Sequence, residues 1–116
     1  MISQSENSEA ENKVQELQIL EQGLQNLVMQ KQAIQLELNE IANALEELKK
    51  TNEEAYKVLG GVMFKADKPS LIKELSEKKA LFDLRISAIE KQEKIIKEKA
   101  EKLQKELMQT LNKKKN

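Results

Sequence analysis

The sequence predicts a mainly α protein: a long antiparallel two-helix coiled coil with a β-hairpin at the bend. Three observations carry this. Two stretches of chain place apolar residues at alternating steps of three and four, the period of a coiled-coil seam. Between them stands a Gly-Gly pair flanked by two short β-prone runs, a hairpin signal. The composition, 34% charged and 39% apolar but only 3% aromatic, with three Gly and one Pro in 116 residues, is that of long helices rather than of a compact core.

In chain order, residues 1–8 are polar and are expected to be a disordered N-terminal segment, with Ser8 and Glu11 in the form of a capping box opening a helix. The first helix is expected over about 9–52. Its seam runs Leu17, Leu20, Leu24, Leu27, Lys31, Ile34, Leu38, Ile41, Leu45 and Leu48, apolar at every position except Lys31. The second is expected over about 68–112, with its seam at Ile72, Leu75, Phe82, Ile86, Ile89, Ile96, Ala100, Leu103 and Leu107, interrupted by Lys79 and Glu93 and ended by Thr110. A helix of about 40 residues is roughly 60 Å long, too long for a globular core.

Between the helices, about 55–66 reads as two strands around Gly60-Gly61, because two adjacent glycines take the positive φ angles of a type I′ turn. Asp67 is then placed to cap the second helix, with Pro69 in its first turn, where a missing N–H costs little. Residues 9–112 thus form one domain, followed by a basic tail at 113–116. An isolated two-stranded hairpin is marginal in water and leaves both edges unpaired. Tyr56, Val58, Leu59, Val62, Met63 and Phe64 therefore mark a subunit-assembly surface, since two strands cannot bury them alone.

Charge is divided along the chain. Residues 1–56 hold 11 acids against 4 lysines and the remainder 16 bases against 9 acids, so the two halves attract when folded against each other. A fold-back centred on the glycines also brings Lys31 toward Glu90 and within a turn of Glu93, a register-fixing polar contact. No His and no Cys are present, which removes thiol chemistry, the usual zinc ligands and any His-based triad. Gly60-Gly61 lacks the Lys-Ser/Thr of a phosphate loop, and carboxylates on solvated helical faces signal solubility rather than catalysis. No enzyme activity and no cofactor are expected. Nor is nucleic acid, for Arg85 is the only arginine and no aromatic residues accompany the lysines. The chain has no apolar run of membrane-spanning length and no signal-like start, so a cytoplasmic protein without a membrane partner is expected.

Several stretches resemble the β-type subunit of archaeal prefoldin: Gln30-Lys31-Gln32, Ala44-Leu45-Glu46-Glu47-Leu48, Tyr56-Lys57-Val58-Leu59-Gly60-Gly61-Val62-Met63-Phe64-Lys65, and Leu84-Arg85-Ile86 through Ile89-Glu90-Lys91-Gln92-Glu93. The likeness covers about residues 13–110, and a single hairpin between the helices is the β-type feature, α-type subunits carrying two. The second turn glycine, Lys68-Pro69-Ser70 and the Lys113-Lys114-Lys115 tail are atypical of the pattern or variable in it. The resemblance implies a hexamer of two α-type and four β-type subunits, with hairpins joined into a β-barrel platform and coiled coils hanging below it as tentacles. It also implies an ATP-independent holdase that captures unfolded proteins and passes them to a group II chaperonin.

Leu17, Leu20, Leu24, Leu103, Leu107, Met108 and Leu111 lie toward the two chain ends, hence toward the free tip of the expected arm. Ordinary seam packing explains part of this set. Gly23, which weakens a helix by about 1 kcal/mol relative to Ala, together with the seam's end at Thr110 suggests a frayed tip exposing these residues to clients. The residues leave both readings open, and the resemblance favours client binding. Lys113, Lys114 and Lys115 read as a solvated tail or as a docking element for an acidic partner such as a chaperonin. A structural coiled-coil adaptor without client-holding activity is the alternative function.

Overall fold

The computed structural model describes residues 4–115, with side chains described from Ser8 to Lys113. Its elements are α1 (Gln4–Lys50), β1 (Ala55–Leu59), β2 (Val62–Ala66) and α2 (Lys68–Lys115), so two long helices flank a small antiparallel hairpin in chain order, as the heptads and the glycine pair require. The chain divides into two compact units. One comprises Lys31–Ser87; the other takes in α1 up to Gln30 and α2 from Ala88 onward.

Within the Lys31–Ser87 unit, the core is the buried trio Ile41, Leu45 and Phe82, packed against Ile34, Leu38, Ile72 and Leu75, all of them seam positions. Phe82 is flanked by cations, with Lys78 Nζ 5.6 Å and Arg85 Cζ 5.5 Å from its ring centroid, distances at which the ring face attracts positive charge. Lys79, which interrupts the seam in sequence, pairs with Asp83 one turn on, Nζ to Oδ2 3.2 Å.

The hairpin is closed by Gly60 at φ 56° and Gly61 at φ 79°, the paired left-handed conformation of a type I′ turn. Leu59 pairs with Val62, Val58 with Met63, Lys57 with Phe64, Tyr56 with Lys65 and Ala55 with Ala66. Both helix ends beside it are capped. The Thr51 amide donates to the Glu47 carbonyl at 3.0 Å, and the Lys68 ammonium donates to the Thr51 carbonyl, tying the end of α1 to the start of α2. Asp67 Oδ2 accepts from the Ser70 amide at 3.3 Å and from the Ser70 hydroxyl at 2.6 Å, an N-cap that satisfies one of the orphan donors of the first turn.

In the other unit, α1 and α2 run in opposite directions. Lys13 Nζ donates to Thr110 Oγ1 at 3.3 Å, while a Cβ on Gly23 would lie 3.9 Å from Ile96 Cδ1. Ala10 and Ile89 are buried there, as is Glu93, which is not without a partner; nor is Lys31 in the Lys31–Ser87 unit. Among the described residues no side chain is fully buried, as expected of seams between only two helices.

The ends differ from the sequence reading. Helix begins at Gln4, not near residue 9, so Ser8 lies inside α1 and its capping box with Glu11 is not used. Residues 4–8 contain no Gly or Pro, and the burial of Ala10 holds these first turns in place. Residues 1–3 of the expected disordered segment lie outside the described residues. At the other end α2 continues to Lys115 rather than stopping near 112, because lysines propagate a helix well and suit its negative C-terminal end. No frayed stretch interrupts either helix within these bounds.

Candidate functional site

Two surfaces gather the candidate side chains. The first is the hairpin, where Tyr56, Val58, Leu59, Val62, Met63 and Phe64 are each 51 to 67% exposed. Directly opposed residues of an antiparallel pair share a face. The register therefore puts Tyr56, Val58 and Met63 on one face and Leu59, Val62 and Phe64 on the other. Each face carries one lysine at its base. Lys57, beside Phe64, reaches α2 through Glu74, Nζ to Oε1 2.7 Å, and Lys65, beside Tyr56, pairs with Glu54 at 3.0 Å. Both lysines are thus drawn toward the helix ends, and the outer part of the hairpin is left apolar on both sides.

The second surface belongs to the unit that carries the chain ends. Leu17, Leu20, Leu24, Leu103 and Leu107 are half-buried, whereas Met108 and Leu111 are exposed by 60 and 42%. The set thus divides: five leucines are seam residues and two residues face solvent. Leu20 and Leu103 also form, with Ile19, the apolar floor of an open groove of about 340 Å³. Ile19 is 68% exposed and was not among the residues singled out by sequence, because it lies off the seam; an aliphatic residue at an outward heptad position is the signal that finds it. Thr110 donates to the Glu106 carbonyl at 2.9 Å while accepting from Lys13, so the residue that ends the apolar seam joins the helices by a polar contact. Lys113 is exposed, and the side chains of Lys114 and Lys115 lie outside the described residues.

Among the described residues no group of His, Cys, Asp or Glu is arranged to hold a metal ion, and no helix is long and apolar enough to cross a membrane. The model of the prefoldin subunit family matches residues 11–114. The chain belongs to that family. Prefoldin β subunits of Archaeoglobus fulgidus and Thermococcus onnurineus are 35% and 39% identical to it, over 90% and 83% of this chain and 91% and 84% of theirs. The crystal structure of the prefoldin β subunit from Thermococcus strain KS-1 superposes with a TM-score of 0.81 at 34% identity, covering 88% of this chain and 91% of that one. The single hairpin between two long helices agrees with these β-type relatives. Prefoldin is a family of chaperone subunits, not of enzymes, and its members assemble into hetero-oligomers.

Proposed function

We propose that this chain is the β-type subunit of an ATP-independent holdase that captures unfolded proteins and passes them to a group II chaperonin. The assembly is a hexamer of two α-type and four β-type subunits, joined through Tyr56, Val58, Leu59, Val62, Met63 and Phe64. Clients are held by the apolar residues of the unit that carries the chain ends: Leu17, Leu20, Leu24, Leu103, Leu107, Met108 and Leu111. Each contact is weak, and several subunits gripping one client raise the avidity of the whole. Lys113, Lys114 and Lys115 dock the chaperonin electrostatically. The protein works in the cytoplasm, without cofactor, nucleic acid or membrane.

The observation that carries this reading is the hairpin with two apolar faces, which has no use for so much exposed apolar surface unless partner strands cover it. The test combines mass and activity. Light scattering of the chain with an α-type subunit is expected to give the hexamer mass, and that complex is expected to suppress aggregation of a chemically unfolded client equally with and without ATP. A complex of full mass without suppression identifies a structural adaptor. Replacing the three C-terminal lysines by Gln is expected to weaken chaperonin binding while leaving suppression intact.

A further inference from the structure

The groove floored by Ile19, Leu20 and Leu103 has charged ends of opposite sign. Lys99 lies one turn before Leu103 on α2 and Lys102 beside it, while Glu106 follows almost a turn after, and all three line the groove. On α1, Glu16 precedes Leu20 by a turn. Because Lys13 of α1 meets Thr110 of α2, the helices are antiparallel here, and Glu16 falls at the Glu106 end. The groove therefore runs from a basic end to an acidic end over roughly 10 Å, seven helical residues at about 1.5 Å each. Among the described residues no ion pair engages the side chains of these four charges, so they are available to an occupant.

We infer that this groove selects extended client segments in which an aliphatic side chain is bracketed by one acidic and one basic residue, the acid lying toward Lys99 and Lys102 and the base toward Glu16 and Glu106. The inference rests on the holdase reading and specifies its substrate. In an extended chain, residues i, i+2 and i+4 point to one side and span roughly 13 Å. A base, an aliphatic residue and an acid at that spacing fit the groove's length and polarity together. Reversing the chain direction exchanges the two ends, so Lys-x-Leu-x-Glu and Glu-x-Leu-x-Lys both fit by lying in opposite senses. Two like charges do not fit, since one of them always meets its own sign.

The test uses the assembled full-length chain and fluorescent peptides identical except for the residues that bracket a central Leu-Leu-Leu: Lys and Glu, Glu and Lys, two Lys, or two Glu. Anisotropy titration in low salt is expected to give about fivefold tighter binding for both mixed peptides than for either like-charged one, the scale of two exposed ion pairs. The preference is expected to vanish near 1 M salt, where the screening length falls to about 3 Å. Glu16→Lys with Glu106→Lys makes the rim wholly basic and is expected to move the preference to the peptide with two Glu. Lys99→Glu with Lys102→Glu is expected to move it to the peptide with two Lys, and circular dichroism checks that each variant remains helical. Equal binding of all four peptides, with client aggregation still suppressed, overturns this inference alone. No binding by any peptide together with no suppression overturns the holdase reading as well.

Discussion

Tyr56 and Lys65 stand opposite each other in the hairpin and hold one carboxylate between them: Tyr56 Oη donates to Glu54 Oε2 at 3.0 Å, and Lys65 Nζ lies 3.0 Å from Glu54 Oε1. The hydrogen bond from Lys65, and then that from Tyr56, keeps the Glu54 carboxyl below the ordinary glutamate range, because both favour the charged form. A depressed folded-state pKa contributes stability that is present above the unfolded value and disappears as pH falls through the folded one. Acidification through that window is therefore expected to loosen the base of the hairpin. A carbon-detected NMR titration should place Glu54 below the ordinary glutamate value. Lys65→Gln should return it most of the way, and Tyr56→Phe less. A Glu54 that titrates at the ordinary glutamate value in the intact protein contradicts this pairing.

The hairpin register also predicts where assembly is most easily broken. In a two-residue turn the closing pair, here Leu59 and Val62, exchanges both backbone hydrogen bonds. Val62→Pro removes one of those donors and an apolar side chain at once. The variant is expected to lose hexamer mass by light scattering while keeping its helical circular dichroism, since the core at Ile41, Leu45 and Phe82 does not involve the strands. Retention of full mass would show that subunits join elsewhere.

Asp67 offers a separate measurement of how α2 begins. Its carboxylate holds both the amide and the hydroxyl of Ser70, and losing such a cap typically costs about 1 kcal/mol. Asp67→Ala should accordingly lower the thermal midpoint by several degrees. Asp67→Asn, which keeps an accepting oxygen, should restore most of it. Equal midpoints for the alanine variant and the parent would mean that Lys68 and its bond to the Thr51 carbonyl fix the helix start without the cap.

The elements were legible in the sequence for reasons that the geometry makes plain. Heptad steps specify which side chains meet, and Ile41, Leu45 and Phe82 are buried at those steps; two adjacent glycines specify the turn, and both have positive φ. The N-terminal boundary differs because Ser8 and Glu11 satisfy a capping pattern that a helix already running from Gln4 does not need. The two-faced character of the hairpin follows from the two-residue turn, which pairs Leu59 with Val62 and so fixes which face of β1 meets which face of β2; alternation along each strand alone does not say this. Ile19 escaped notice because a seam pattern attends to positions that face the partner helix, whereas a groove on the flank is built partly from a residue that does not.

That distinction separates client capture from seam packing. Ile19 is largely exposed, so Ile19→Ser removes apolar surface from the groove while the seam loses little. Leu27 is half-buried and does not line the groove, so Leu27→Ser weakens the seam and leaves the groove floor in place. A fully buried leucine or isoleucine is worth about 1.5–3 kcal/mol, and a partly covered one on an open groove is worth less per subunit. If several subunits grip one client, as proposed, a small loss in each multiplies across the complex. Ile19→Ser is expected to leave the thermal midpoint within a degree or two of the parent and to reduce suppression of client aggregation severalfold at equal hexamer concentration. Leu27→Ser is expected to lower the midpoint while suppression, measured well below it, changes little. The reverse pattern would assign capture to the seam leucines themselves, exposed by opening of the helix pair rather than presented on its flank.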